Sequence, residues 1–174
     1  MAGKSSMQKT ARDMILSLGL IGLVAGFVWL FIPHDDSAPD LQRVDYRVDL
    51  LTARRAASYP VAAPEGLSEA WKPTSVRFRR DEGDAWHLGY QTPDGQYAAV
   101  EQSTQKRSLF IEDATQGAER TEVTQQIDGR TWTRYEGGRY DALVHEGADG
   151  STTVVAGTAS FGQLTKMAAA LRTE

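Results

Sequence analysis

The sequence contains no cysteine and only three histidines, His34, His87 and His145. Without cysteine the chain can form neither disulfides nor thiolate metal sites, and no lipid can be attached through a thiol. The histidines lie in separate segments and lack the short spacing of metal ligands. We therefore predict no metal and no cofactor, and we expect an apolar core alone to hold the folded domain together.

Positive charge is in the minority. The chain has 19 Lys and Arg residues against 23 Asp and Glu residues. Beyond residue 32 the imbalance grows to a net charge of about −6. An acidic domain repels a phosphate backbone, so the sequence argues against nucleic acid as a partner.

Charge is absent altogether from residues 14–32, a run of nineteen residues rich in Leu, Ile, Val and Phe. As a helix this run would extend about 28 Å, close to the roughly 30 Å thickness of the hydrocarbon core of a bilayer. All backbone polar groups of such a helix are paired internally, as lipid requires. The sequence therefore predicts one transmembrane helix over residues 14–32.

The two sides of this run differ in charge. Residues 1–13 carry three basic side chains and one acidic one, whereas residues 33–40 carry only acidic ones. By the positive-inside rule, residues 1–13 are a cytoplasmic tail, 33–40 a linker and 41–174 an extracytoplasmic domain of a single-pass protein in the cell membrane. A cleaved signal peptide is the alternative, but no A-x-A-like site follows the run.

Two glycines within the run, Gly22 and Gly26, are spaced as G-x-x-x-G. Glycines at this spacing leave one helix face flat, so that a second helix can approach closely. They are the candidate residues for packing of two spans, and they predict a homodimer through the membrane.

The domain beyond the linker has the pattern of an antiparallel sheet. Asp- and Gly-rich turns recur between runs of Val, Trp, Tyr, Phe and Thr, which is typical of strands joined by tight turns. An earlier alternating segment, 44–48, is predicted as a strand and 50–58 as a helix. The main predicted strands are 75–80, 85–91, 97–103, 107–113, 122–127, 131–136, 140–145 and 152–157.

A helix is predicted at the end of the chain. Ser160 and Gln163 form a capping-box pattern, and Leu164, Met167 and Leu171 follow at helical spacing. We expect this helix to pack across one face of the twisted sheet. The fold class is therefore α+β.

No linear motif of an enzyme is present. Residues 157–162 have glycines at P-loop spacing, but Gln163 and Leu164 stand where Lys and Ser or Thr are needed. The Gly-x-Ser-x-Gly pattern of serine hydrolases is missing, and no histidine is marked as a general base. We predict no catalytic residues and expect that the protein is not an enzyme.

Aromatic residues are the best candidates for recognition. We expect Trp86 and Trp132 in the core, where large rings dominate the packing of small sheets. Trp71 and Tyr135 are the better candidates for a surface, since Trp71 lies in a turn-rich segment and Tyr135 faces away from Trp132. Together with Tyr90 they are the predicted contacts with a partner or ligand.

The order of several motifs resembles a known family. Pro64, Gly66 and Trp71 open the pattern, and the segments 86–95, 128–132 and 155–161 continue it. This order resembles an actinobacterial family of single-span membrane proteins whose domain has no assigned function. More loosely, the domain is similar to extracytoplasmic domains of sigma-factor regulators. The resemblance implies a membrane location and a binding role.

The sequence thus predicts a membrane-anchored extracytoplasmic domain that binds another protein or an envelope component as an accessory or regulatory protein. A small-molecule or lipid-binding half-barrel, with an apolar ligand under the final helix, is one alternative. An exposed apolar concavity would favour that alternative, and a filled core would favour protein contact. An envelope hydrolase is the other alternative.

Overall fold

The computed structural model describes residues 4–31 and 42–173. Two compact units divide the chain, Met1–Asp40 and Leu41–Glu174. The predicted linker, 33–40, and the last residue of the predicted span, Ile32, lie outside the described residues.

The first unit contains helix α1, Lys4–Phe31. Its described side chains are those of residues 14–28, and all of them are exposed. Leu18 is 72% and Leu23 69% exposed, although both are strongly apolar. Judged on the described residues alone, none of the helices reaches the combined length and hydropathy of a membrane span.

The second unit is built on a sheet of seven antiparallel strands. Its order is β2-β3-β4-β8-β7-β6-β5, and the short strands β1 and β9 form a separate pair. The elements are α2 Arg47–Ala56, β1 Ala63–Pro64, β2 Lys72–Arg79, β3 Ala85–Gln91, β4 Tyr97–Ser103, α3 Arg107–Thr115, β5 Glu119–Ile127, β6 Arg130–Glu136, β7 Asp141–Glu146, β8 Thr152–Gly157, α4 Phe161–Ala170 and β9 Leu171–Arg172.

The α+β class and the final helix are confirmed. Strands β3, β4 and β8 have the predicted bounds, and β2, β5, β6 and β7 differ from the predicted ones by at most three residues at either end. Alternation of apolar and polar residues between turns was sufficient to identify these seven strands.

One predicted strand is wrong, because residues 107–113 belong to helix α3. The run Leu109, Phe110, Ile111 suits either structure when read by itself. In the fold, Phe110 and Ile111 are buried against the sheet while Leu109 is 57% exposed. The helix ends at Thr115, and the next residue, Gln116, adopts the left-handed conformation.

The predicted strand at 44–48 is also wrong. Residues 42–46 have no regular structure, and α2 begins at Arg47, three residues before its predicted start at 50. The Val44 N–H donates to the Pro73 carbonyl of the edge strand at 3.0 Å. The Asp45 carboxylate instead accepts the Arg47 N–H at 3.1 Å, which favours a turn into the helix.

Helices cover both faces of the sheet, whereas the sequence predicted a helix on one face only. The first face packs against α4, whose Leu164 and Met167 are fully buried. The second face packs against α3, where Phe110 and Ile111 contact Val154 and its neighbours in a separate core cluster. Alternate residues of each central strand therefore belong to different cores.

The predicted capping box at the start of α4 does not form. The Ser160 side chain makes no cap hydrogen bond, and the Gln163 amide donates to the Asp94 carboxylate at 2.7 Å instead. A contact with the turn between β3 and β4 thus replaces the local one, and it tethers α4 to the sheet.

Candidate functional site

The structure places two of the three predicted recognition residues together. Trp71 and Tyr90 belong to the first core and are only 3% and 4% exposed, so the prediction that Trp71 is a surface residue is wrong. Both nevertheless line the floor of one surface groove of about 390 Å³. We call it the aromatic groove, and its apolar lining consists of Tyr46, Pro64, Leu67, Trp71, Pro73 and Tyr90.

Irregular chain shapes this groove. Pro64 and Pro73 flank a loop in which Gly66 has a positive φ of 74°, a conformation that favours glycine. A hydrogen bond of 2.9 Å from the backbone N–H of Trp71 to the Ser68 carbonyl closes the loop. The result is a fixed wall beside the edge of the sheet rather than a loose connection.

Tyrosine rings complete the floor. Tyr46 and Tyr90 meet edge to face, with 6.3 Å between ring centroids. Burial, followed by the hydrogen bond with Tyr46, raises the pKa of Tyr90 above its usual value. The Tyr90 hydroxyl therefore stays neutral.

The Trp71 indole adds an unusual polar group. Its N–H is buried and has no hydrogen-bond partner among the described residues. An unsatisfied buried donor costs about 1–3 kcal/mol. Because the indole nitrogen is buried, this donor is closed to a molecule bound in the groove.

The third predicted residue, Tyr135, lies elsewhere. It is half-buried and packs against the second core, and it lines a different cavity beside α3. The structure does not bring it to the aromatic groove. Trp86 and Trp132, expected in the core, are 0% and 1% exposed, which confirms that expectation.

A second arrangement was missed by sequence reasoning. On the second face of the sheet, the imidazole of His87 on β3 lies between Ser75 on β2 and Glu101 on β4. The distance from Ser75 Oγ to His87 Nε2 is 2.8 Å, and from His87 Nδ1 to Glu101 Oε1 it is 2.6 Å. We call these three residues the hydrogen-bond chain.

Strand register produces this chain. His87 is directly opposite Glu101 on β4, and Ser75 is opposite Gly89 on the same face two residues along. A side chain at Gly89 would collide with Ser75 Oγ and crowd the Tyr97 ring, 3.2 Å away. Glycine at this position therefore leaves the space in which the Ser75 hydroxyl meets the imidazole.

A polar cleft adjoins the chain where α3 leaves part of the second face uncovered. Its cavities are about 280 Å³ and 170 Å³, and both are lined by Arg77, His87, Glu101, Phe110 and Asp113. Within the described residues, no cluster of three or more His, Asp or Glu side chains could hold a metal ion.

Burial and the charges of the cleft shift the pKa of Tyr97. Burial raises the pKa of its hydroxyl above the usual value, and the nearby Glu101 carboxylate and the Tyr140 ring add to the effect. Arg77 acts in the opposite direction. Tyr97 thus remains a neutral donor, and its ring lies 5.6 Å from that of Tyr140.

Fold and sites together define a domain in which a seven-stranded antiparallel sheet carries helices on both faces, with a groove beside one edge. The chain belongs to a family of proteins of unknown function, DUF4245, which matches residues 7–171. Neither a curated protein nor a solved structure matches the chain. The expectation of a domain without an assigned function is confirmed.

Proposed function

We propose that the protein is a single-pass membrane protein whose second unit binds another protein or an envelope component outside the cytoplasm, as an accessory or regulatory subunit. The observation that carries the proposal is the aromatic groove, where the predicted recognition residues Trp71 and Tyr90 meet. An aromatic floor beside proline-rich walls suits an extended segment of a partner, since large rings supply contact area.

The proposed anchor is residues 14–32. Its support is the absence of charge from this run and the apolar side chains exposed on every side of α1, as at Leu18, Leu20 and Leu23. A helix that is apolar all round needs an apolar environment. The likeness to actinobacterial single-span proteins, and the looser likeness to sigma-factor regulators, support the same reading by analogy.

The same anchor could bring two copies together. An added methyl group at Gly22 or Gly26 would meet nothing within 4 Å, so this face of α1 is open to a second helix. We include a homodimer through this face in the proposal.

A half-barrel that holds a lipid is less well supported. The space under α4, where an apolar ligand would lie, is filled by Leu164, Met167 and Leu143, none of which is exposed. A filled core favours contact with a protein or a polar component over an enclosed apolar ligand.

A reporter that is active only outside the cytoplasm, fused after Glu174, should be active in intact cells. The basic tail and acidic linker orient the span with its C-terminal side outward. Exchanging the charges of the two flanks should reduce the activity of the reporter. Activity of a reporter that works only in the cytoplasm would contradict the proposed topology.

A photo-crosslinking residue at Ser68, on the rim of the aromatic groove, should attach one recurrent partner in intact cells. The matched control position is Glu122, which is exposed on β5. Replacing Trp71 by Phe should lower the yield at Ser68 several-fold, because the smaller ring leaves a gap in the floor of the groove.

Trp132 provides the control substitution. Its indole N–H is also buried without a hydrogen-bond partner among the described residues, but Trp132 does not line the aromatic groove. Trp132→Phe should leave the adduct at Ser68 unchanged. Equal crosslinking yields at Ser68 and Glu122 would overturn the proposed binding site. A yield at Ser68 that is the same in the Trp71→Phe protein would also overturn it.

A further inference from the structure

We propose that Ser75 is a nucleophile, activated by His87 and positioned through Glu101, and that it hydrolyses small carboxylic esters beside the polar cleft. This activity goes beyond binding and is independent of the aromatic groove. The expectation of a non-enzymatic protein rested on missing linear motifs. Hydroxyl, imidazole and carboxylate triads are recognised by geometry and roles, and unrelated folds supply them in different chain orders.

The geometry meets the requirements of nucleophile, base and orienting acid. The distances of 2.8 Å at Nε2 and 2.6 Å at Nδ1 fall within hydrogen-bond reach. An ionised carboxylate only accepts hydrogen bonds, so the Nδ1–H of His87 donates to Glu101. The neutral imidazole then accepts the Ser75 hydroxyl proton at Nε2, as a general base must.

The three groups are fixed in position by strands, and they remain partly exposed to solvent. The His87 and Glu101 side chains are 13% and 21% exposed, and Ser75 is half-buried on the edge strand. Rigid strands fix all three positions, which is more precise than a site built on mobile loops. The absence of a side chain at Gly89 is what lets Ser75 Oγ take its place.

The reaction follows from these positions. Ser75 Oγ attacks the carbonyl carbon of the ester while its proton passes to His87 Nε2. The bond from carbon to the leaving oxygen then breaks, and His87 returns the proton to the departing alcohol. A water molecule, deprotonated by His87, hydrolyses the acyl-serine to release the acid and restore Ser75.

The cleft limits the substrate. His87 and Glu101 line its cavities of about 280 Å³ and 170 Å³, which admit only small groups, and Ser75 lies beside them through its hydrogen bond to His87. Tyr97, Phe110 and Tyr140 offer aromatic walls, while Glu101 and Asp113 repel an anionic acyl group. Neutral or cationic esters are therefore the expected class. Arg77, on the same face as Ser75, supplies a positive charge for the negative oxygen of the transition state.

A fluorophosphonate probe tests the nucleophile directly. It should phosphonylate Ser75 in the full chain with loss of fluoride, and peptide mass spectrometry should locate the adduct. His87→Gln should slow labelling by about 100-fold or more, since a general base contributes roughly 10²–10⁴-fold. Ser108→Ala is the matched control, because Ser108 is exposed on α3 and should not affect labelling.

Turnover of p-nitrophenyl acetate tests the complete reaction and the positioning role of Glu101. Ser75→Ala should abolish it. Glu101→Gln should lower kcat by on the order of 10²-fold with KM unchanged, since the amide no longer holds the correct tautomer of His87. A purely structural role would change thermal stability and leave kcat per folded molecule intact.

The outcomes separate this proposal from the binding proposal. Labelling at Ser75 that depends on His87 supports the nucleophile whatever the crosslinking at Ser68 shows. Absence of labelling at Ser75, or equal labelling of Ser75 in the His87→Gln protein, would overturn the nucleophile and leave the aromatic groove untouched.

Discussion

Replacing Trp132 by Ala will lower the free energy of unfolding by about 3–5 kcal/mol, the cost of removing a large ring from a packed core. Trp132 is 1% exposed and lies in the first core, between the sheet and α4. Circular dichroism of the full chain during urea denaturation would measure the loss as a lower midpoint. A variant of unchanged stability would show that the ring does not belong to the core.

Phenylalanine substitutions distinguish the contribution of a tryptophan ring to stability from the contribution of its N–H group. The Trp86 N–H donates to the Ala62 carbonyl at 3.1 Å, whereas the Trp132 N–H has no partner among the described residues. Trp86→Phe leaves a buried carbonyl unsatisfied, and this costs about 1–3 kcal/mol. Trp132→Phe should therefore destabilise less than Trp86→Phe, and the reverse order would contradict the buried geometry of these rings.

Gly157→Ala will destabilise the fold by about 3 kcal/mol, at the upper end of the cost of overpacking. Gly157 ends β8 and pairs with Ala98 on β4. A methyl group there would overlap the Tyr97 carbonyl oxygen and lie 2.8 Å from the Ala98 Cα atom. Backbone atoms in the centre of a sheet cannot move aside, so β4 and β8 would have to separate.

Gly162→Ala is the matched control for this prediction. Gly162 lies in the first turn of α4, and an added methyl group would meet only Ser160 Oγ, at 3.8 Å. Alanine is favoured over glycine within a helix by about 0.5–1 kcal/mol. A gain of this size in the same urea experiment is expected. Equal losses from both substitutions would contradict the close approach at Gly157.

The strands could be predicted because their signal is local. Trp86, Leu88 and Tyr90 alternate with more polar positions, and Gly and Asp mark the turns at both ends. The sequence of each strand therefore indicates both which residues face the core and where the strand ends. The same local reading failed for Phe110 and Ile111, since a short apolar run is compatible with either a strand or a helix.

The candidate sites depend on contacts between residues that are distant in sequence. Sequence reasoning predicted the strands that hold Ser75, His87 and Glu101. What it lacked was the register that sets His87 against Glu101 and Ser75 against Gly89. Register depends on turn geometry and on packing of both faces, and a shift of one residue reverses every side chain.

Trp71 shows the same limit for a loop. Proline and glycine on both sides of the loop correctly indicated irregular chain, and irregular chain usually lies at the surface. Whether a ring in that chain turns outward or inward is decided by the space beside it. Here the first core had room for the indole, so Trp71 is buried and only the wall of the groove is exposed.

By itself the sequence determined the α+β class, seven strands of the sheet, the final helix and the charge-free run of residues 14–32, because propensity, alternation and charge act over a few neighbouring residues. Only the tertiary structure decided that α3 is a helix covering a second face, that Trp71 and Tyr90 share one groove, and that Ser75, His87 and Glu101 meet. Those outcomes depend on which strands pair and how their faces are filled, and these are properties of the whole packed domain.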